Sequence, residues 1–89
     1  MAHRKASVLE RVQTVVAQVA GPTRTPPDAG PDTPLGDGGF WLDSVDLVEV
    51  VVACESELEV SFEGETDLTR EALHSVRTLA DLIESKRPR

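Results

Sequence analysis

The stretch Leu42-Asp43-Ser44-Val45-Asp46-Leu47-Val48-Glu49-Val50-Val51 decides the fold of this chain. It follows a glycine-rich segment and begins a helical apolar repeat, which predicts a helix from Ser44 to about Leu58. Ser44 lies between two aspartates at the N-terminus of this helix, so we expect an exposed hydroxyl surrounded by negative charge. Such a serine is better suited to modification by another enzyme than to catalysis.

Two apolar rows run along this predicted helix. The first has the spacing of a buried stripe and consists of Leu47, Val50, Val51, Cys54 and Leu58. The second row is offset from the first and consists of Val45, Val48 and Val52. The many valines also suit a strand, but strict alternation is interrupted by the acids Asp46, Glu49 and Glu55. The second row is either a surface for partner proteins or the edge of a broad core stripe.

The first helix is predicted over residues 7–20. Ser7 and Glu10 have the spacing of a capping box, and an apolar face follows at helical spacing. Gly21-Pro22 ends this helix, and a long loop over residues 21–41 holds most of the glycines and prolines. The loop has two apolar residues expected to anchor it in the core, Leu35 and Phe40.

The C-terminal third predicts one short and one longer helix. Thr69 is the expected cap of a short helical turn containing Ala72 and Leu73. Ser75 is the predicted N-cap of the last helix, whose apolar positions are Val76, Leu79, Ala80, Leu82 and Ile83. Lys86-Arg87 lies at the negative end of the dipole of this helix.

These elements together predict an all-α fold. We expect a small four-helix bundle of three longer helices and one short helix, with the long loop between the first two. Residues 1–89 form a single domain in this interpretation, with a helical core over about 7–85 and frayed ends at 1–5 and 87–89. The scarcity of aromatic residues, two Phe and one Trp, favours such a bundle over a sandwich or barrel.

Composition excludes several classes of site. Cys54 is the only cysteine, so an internal disulfide is impossible and a thiolate metal site is not expected; we interpret it as a small core residue. No apolar run approaches the roughly 20 residues that cross a bilayer, and no secretory h-region follows the N-terminus. We therefore expect a cytoplasmic protein.

Negative charge is concentrated in the middle of the chain. The net charge is −7, and no Lys or Arg occurs between Arg24 and Arg70. That interval contains Asp28, Asp32, Asp37, Asp43, Asp46, Glu49, Glu55, Glu57, Glu59, Glu63, Glu65 and Asp67. Such a field repels nucleic acid and anionic lipid and attracts basic protein surfaces. Solubility is the alternative explanation.

The segment Asp43-Ser44-Val45-Asp46, followed by Leu47-Val48-Glu49-Val50-Val51, resembles the phosphopantetheine attachment motif of acyl carrier proteins. The capped first helix, the long loop and the closing segment over residues 73–83 are similar to the same family, so the resemblance covers roughly residues 7–85. It implies that Ser44 carries 4′-phosphopantetheine, transferred from coenzyme A by a phosphopantetheinyl transferase. It also implies a carrier that holds acyl groups as thioesters and performs no chemistry itself.

The resemblance also implies a docking face on the second helix. Acyl-loading, condensing and acyl-transfer enzymes with basic patches would meet a face formed by Asp43, Val45, Asp46, Val48, Glu49, Val52 and Glu55. Asp43 would meet the modifying enzyme or its magnesium. The other reading of Ser44 makes it simply the N-cap of the helix. We expect a monomer that uses no metal of its own.

Two residues depart from the family pattern. Trp41 stands where many members have the glycine of a Gly-x-Asp-Ser run, and Val45 stands where leucine is more usual. We interpret Trp41 as bracing the loop on the core; the alternative is a surface for cargo or a partner. The loop from Thr23 to Gly39 differs from that of fatty-acid carriers, which favours a discrete carrier of polyketide or other specialised metabolism.

Three other functions compete with this interpretation. A hydrolase is disfavoured because His3 and His74 are the only histidines and no Gly-x-Ser-x-Gly elbow is present. The acids over residues 63–67 lack the spacing of a calcium loop. A peptidyl carrier, which is usually less acidic on its docking face, and an acidic helical adaptor that is never modified remain as alternatives.

Overall fold

The computed structural model of the chain describes residues 7–86, without the side chain of Glu65, and the regular secondary structure of these residues consists of helices with no β-strand. The helices are α1 (Val8–Arg24), α2 (Ser44–Leu58), the single turn α3 (Gly64–Asp67) and α4 (Val76–Lys86). α1 packs against both α2 and α4, so it lies at the centre of a small bundle. No helix within residues 7–86 is long and apolar enough to span a membrane. The expected fraying of 1–5 and 87–89 lies outside the described residues.

α1 begins and breaks where the sequence predicts. The Glu10 N–H donates to Ser7 Oγ (3.1 Å) and the Ser7 N–H donates to Glu10 Oε1 (3.2 Å), which completes the capping box. Gly21 interrupts the helical backbone with a φ of 77°, a conformation that costs glycine little. One further turn then continues to Arg24, so the long loop begins at Thr25 and not at residue 21.

The core is built from the predicted stripes of the three longer helices. Its fully buried members include Val12, Val16, Val50, Cys54, Leu79 and Ile83. Leu35 and Phe40 are also buried, which confirms them as the loop's anchors. Burial raises the pKa of the Cys54 thiol to about 11, with a smaller contribution from Glu57, so this cysteine is a core residue as expected.

The segment after α2 differs from the prediction. Thr69 caps a single turn as expected, because its Oγ1 accepts from the Ala72 N–H (3.1 Å) and its carbonyl from the Leu73 N–H (3.0 Å), but this turn does not extend into a short helix. The helical turn lies earlier, at Gly64–Asp67. Asp67 holds it by accepting from the Glu63 N–H (2.7 Å) and pairing with Lys86 (2.8 Å). Because Lys86 is distant in sequence, its part in holding this turn is not visible in the local pattern.

α4 starts at the predicted serine. The Thr78 N–H donates to Ser75 Oγ (3.3 Å), and the Ser75 N–H donates to Thr78 Oγ1 (3.0 Å). These reciprocal bonds satisfy the first turn in the manner of a capping box. The loop before α2 is attached to this end of α4. The guanidinium of Arg77 pairs with Asp32 (2.6 Å), and the backbone N–H of Arg77 donates to the carbonyl of Pro31 (2.9 Å).

Candidate functional site

The loop over residues 34–42 fixes the start of α2. The Leu35 N–H donates to the carbonyl of His74 (2.8 Å), which attaches the loop to the end of the turn before α4. Within the loop, the Phe40 N–H donates to the carbonyl of Pro34 (3.0 Å) and the Leu42 N–H to that of Leu35 (2.9 Å). Since Leu35, Phe40 and Leu42 are all buried, the chain enters α2 along a fixed path.

Asp43, and not Ser44, is the N-cap of α2. Asp43 Oδ1 accepts from the Asp46 N–H (2.8 Å), and Asp46 Oδ2 accepts from the Asp43 N–H (3.1 Å). The interpretation of Ser44 as the cap is therefore wrong, and Asp43 has a structural task that sequence reasoning missed. Ser44 is the first helical residue, is exposed, and its Oγ has no hydrogen-bond partner among residues 7–86.

Arg24, at the end of α1, holds Asp46 in place. Arg24 Nη1 lies 2.7 Å from Asp46 Oδ2, while its Nε donates to the carbonyl of Ala20 (3.2 Å). The Arg24 guanidinium, helped by the N–H of Asp43, holds the pKa of Asp46 below its ordinary value. The pair joins the C-terminal end of α1 to the N-terminal end of α2. Twenty-two positions separate the two residues, so no local signal predicts the contact.

The second apolar row of α2 is exposed. Val45 is 68% exposed, Val48 61% and Val52 56%, so the alternative that they extend the core stripe is wrong. Glu49 is exposed between them and forms no ion pair within residues 7–86. Glu55 is more constrained, because its Oε2 accepts from the Phe62 N–H (3.0 Å).

Trp41 does not brace the loop on the core. Its side chain is 61% exposed, and its backbone has a φ of 58°, in the left-handed region. The Trp41 N–H donates to the carbonyl of Gly36 (2.9 Å), so the turn is closed by backbone and not by the indole. The preferred interpretation of Trp41 is therefore wrong, and the indole is available to other molecules.

An apolar groove begins at Ser44. It has a volume of about 340 Å³ and is lined by Ser44, Leu47, Val48, Val51, Leu68 and Leu73. A neighbouring depression of about 370 Å³ shares Leu47 and Leu73 and adds the polar residues Asp37, Arg70 and His74. The exposed His74 therefore lines a surface groove, whereas His3 lies outside the described residues. Sequence reasoning missed this groove because Leu68 and Leu73 belong to the segment whose helix was misplaced.

Within residues 7–86 no cluster of acid, histidine or cysteine side chains has an arrangement that could hold a metal ion. The arrangement at the start of α2 instead presents an unpartnered hydroxyl beside an apolar groove and an acidic, partly apolar helix face. No catalytic base contacts that hydroxyl among the described residues. Chemically, an exposed hydroxyl at the start of a helix is accessible to an enzyme that would modify it.

Comparison with protein families agrees with this geometry. The family model described as the phosphopantetheine attachment site matches residues 10–84, which covers α2 and α3 and most of α1 and α4. Comparisons with curated proteins and with solved structures each find no match. Members of this family are carriers that hold a covalently attached 4′-phosphopantetheine group. The chain therefore belongs to the phosphopantetheine-binding family of carrier proteins, of which acyl carrier proteins are an example.

Proposed function

We propose that this protein is an acyl carrier in which 4′-phosphopantetheine is attached to Ser44. The observation that carries the proposal is the position of Ser44: it is exposed, its Oγ is unpartnered among residues 7–86, and it begins α2 within the family match. A phosphopantetheinyl transferase would join the serine oxygen to the arm's phosphate, with 3′,5′-adenosine bisphosphate as the leaving group. The arm's thiol then holds the acyl group as a thioester.

The helix start favours a phosphate on Ser44. Helix geometry leaves the N–H groups of Ser44 and Val45 without an acceptor in the helix, and the positive end of the dipole lies there. Both features stabilise an attached phosphodiester. The negative charge of Asp43 repels a phosphodiester on Ser44. The Oδ1 atom of Asp43, however, accepts from the N–H of Asp46 in the N-cap of α2.

The groove beside Ser44 supports an acyl cargo over an aminoacyl one. Apart from Ser44 its lining consists of Leu and Val side chains, and its volume of about 340 Å³ lies at the lower end of the range for small-molecule sites. An apolar chain would bury surface there, whereas a charged ammonium would lose hydration without gaining a partner. A polyketide or other specialised pathway, in the cytoplasm, is the setting that we propose.

The exposed face of α2 is the proposed surface for partner enzymes. Val45, Val48 and Val52 offer apolar area, and Glu49 offers a carboxylate that is free of ion pairs among residues 7–86. The overall charge of −7 attracts enzymes with basic patches at long range. Asp43, Asp46 and Glu55 belong to this face by position, although each also accepts a hydrogen bond within the fold.

Intact-mass measurement tests the attachment. The protein is incubated with coenzyme A, Mg²⁺ and a broad-range phosphopantetheinyl transferase, in parallel with Ser44→Ala. We expect the wild type to gain the mass of one phosphopantetheinyl group and the variant to gain nothing. A wild-type mass that does not change would refute the carrier proposal and favour the unmodified adaptor. A modified Ser44→Ala protein would instead move the attachment to another residue.

A further inference from the structure

Trp41 occupies a backbone conformation that usually belongs to glycine. Its φ of 58° lies in the left-handed region, where a bulky side chain is a rare outlier. The hydrogen bonds from Trp41 N–H to Gly36 and from Leu42 N–H to Leu35, both 2.9 Å, hold the chain in this shape. Such outliers are maintained only when their surroundings enforce them, and they concentrate at functional sites.

The indole of Trp41 is not buried by the fold. It is 61% exposed, whereas its neighbours Phe40 and Leu42 are 1% and 6% exposed. The backbone is thus fixed by residues on both sides while the largest side chain of the loop is presented to solvent. Tryptophan is one of the residue types that are enriched among the energetic hot spots of protein interfaces.

The short distance between Trp41 and Ser44 indicates which partner protein would contact Trp41. They are three positions apart in the sequence, so their Cα atoms lie within about 11 Å. A protein interface of standard size covers about 800 Å² on each partner, which corresponds to a radius of about 16 Å. An enzyme that encloses Ser44 Oγ near the centre of such an interface would have Trp41 within its reach.

We propose that Trp41 is an anchor residue for the phosphopantetheinyl transferase that modifies Ser44. The inference rests on the proposed attachment at Ser44. The indole enters an apolar pocket of the enzyme that is rimmed by basic side chains, because the exposed acids Asp37, Asp43 and Glu49 lie near it in sequence. Trp41 does not line the groove beside Ser44, so a cargo lying in that groove does not require it.

Loading kinetics of two substitutions test the anchor. The value of kcat/KM for loading is measured with coenzyme A and a broad-range transferase for the wild type, Trp41→Gly and Trp41→Phe. Truncation of an interface hot spot predicts a loss of about tenfold or more for Trp41→Gly, expressed mainly in KM. Trp41→Phe keeps an aromatic ring and should lose far less.

Thermal unfolding separates docking from folding in this experiment. Glycine suits a φ of 58°, so Trp41→Gly should unfold at the wild-type temperature or above. Loading of Trp41→Gly at the wild-type kcat/KM would overturn the inference while leaving attachment at Ser44 intact. A wild type that is never loaded would overturn the attachment, and the inference with it.

Contact can be observed directly because Trp41 is the only tryptophan. 5-Fluorotryptophan is incorporated into Ser44→Ala, which forms a complex with the transferase and coenzyme A but cannot react. The single ¹⁹F resonance of the free protein should shift between H₂O and D₂O, as an exposed ring does. We expect this solvent shift to disappear in the complex. A solvent shift that persists when sedimentation shows complete complex formation would overturn the inference.

Discussion

Replacing Gly39 with alanine is expected to destabilise the protein and to disturb the approach to α2. A Cβ on Gly39 would lie 2.0 Å from the carbonyl oxygen of Pro34 and 2.8 Å from Cγ2 of Thr33. The nearest obstacle is backbone, so the turn itself has to move. Overpacking of this kind costs about 1–3 kcal/mol. The same carbonyl accepts from the Phe40 N–H at 3.0 Å, and losing that bond adds about 1 kcal/mol.

The expected loss for Gly39→Ala is therefore about 2–4 kcal/mol, a large part of the stability of a small domain. Urea denaturation should show a lower midpoint with an unchanged slope, because the native surface area stays nearly the same. The thermal midpoint should fall by at least about 8 °C, since 1 kcal/mol corresponds to about 4–8 °C in a domain of this size.

Gly36→Ala is the matched control for Gly39→Ala. Gly36 belongs to the same turn, but a Cβ there meets no atom within 4 Å, and its φ lies outside the left-handed region. We expect it to be neutral or to stabilise by about 0.4–1 kcal/mol, because alanine restricts the unfolded chain. If Gly39→Ala unfolds at the same urea concentration as Gly36→Ala, the close contact between Gly39 and Pro34 does not constrain the turn and the reasoning is wrong.

Two further predictions concern the acids of α2. Glu49→Lys should slow loading several-fold at low salt while circular dichroism shows unchanged helicity, because it reverses a charge of the docking face; unchanged kinetics with every partner enzyme would remove Glu49 from that face. The folded-state pKa of Asp46 is lowered, so its stabilising contribution is complete above the unfolded-state pKa and is lost as pH falls through the folded-state pKa. Between pH 7 and about pH 3, the urea midpoint of Asp46→Asn should therefore fall less than that of the wild type, and equal falls would contradict the role of the Arg24 pair.

The helices were predictable because their signals are local. α2 runs from Ser44 to Leu58 as expected, since its apolar spacing, its acids and its flanking turns lie within one segment. The same holds for the capping box of Ser7 and for the break at Gly21. The burial of Leu35 and Phe40 followed from their being apolar residues in an otherwise polar loop.

The errors concern features that depend on distant residues. The α3 turn is held in part by Lys86 of another helix, and the turn that Thr69 caps as predicted does not extend into a helix. The exposure of Trp41 could not be deduced because apolar residues are usually buried, and here the turn is closed by the backbone hydrogen bond from the Trp41 N–H to Gly36 while the indole remains exposed. The alternative in which Ser44 caps α2 was open to the sequence because serine and aspartate are equally good N-caps, although the predicted start of the helix at Ser44 is correct.

The four acids expected on the docking face differ in the contacts that they make within the fold. These contacts determine whether slower loading of a variant can be attributed to docking. Asp43 and Asp46 cap α2, Asp46 also pairs with Arg24, and Glu55 accepts from the Phe62 N–H. Removing any of these changes the fold's own hydrogen bonds, so slower loading would have two possible causes. Glu49 is exposed and has no hydrogen bond or ion pair of its side chain within residues 7–86. Its substitution therefore removes no hydrogen bond or ion pair of the described fold, although the charge of Glu49 also acts on nearby Arg24.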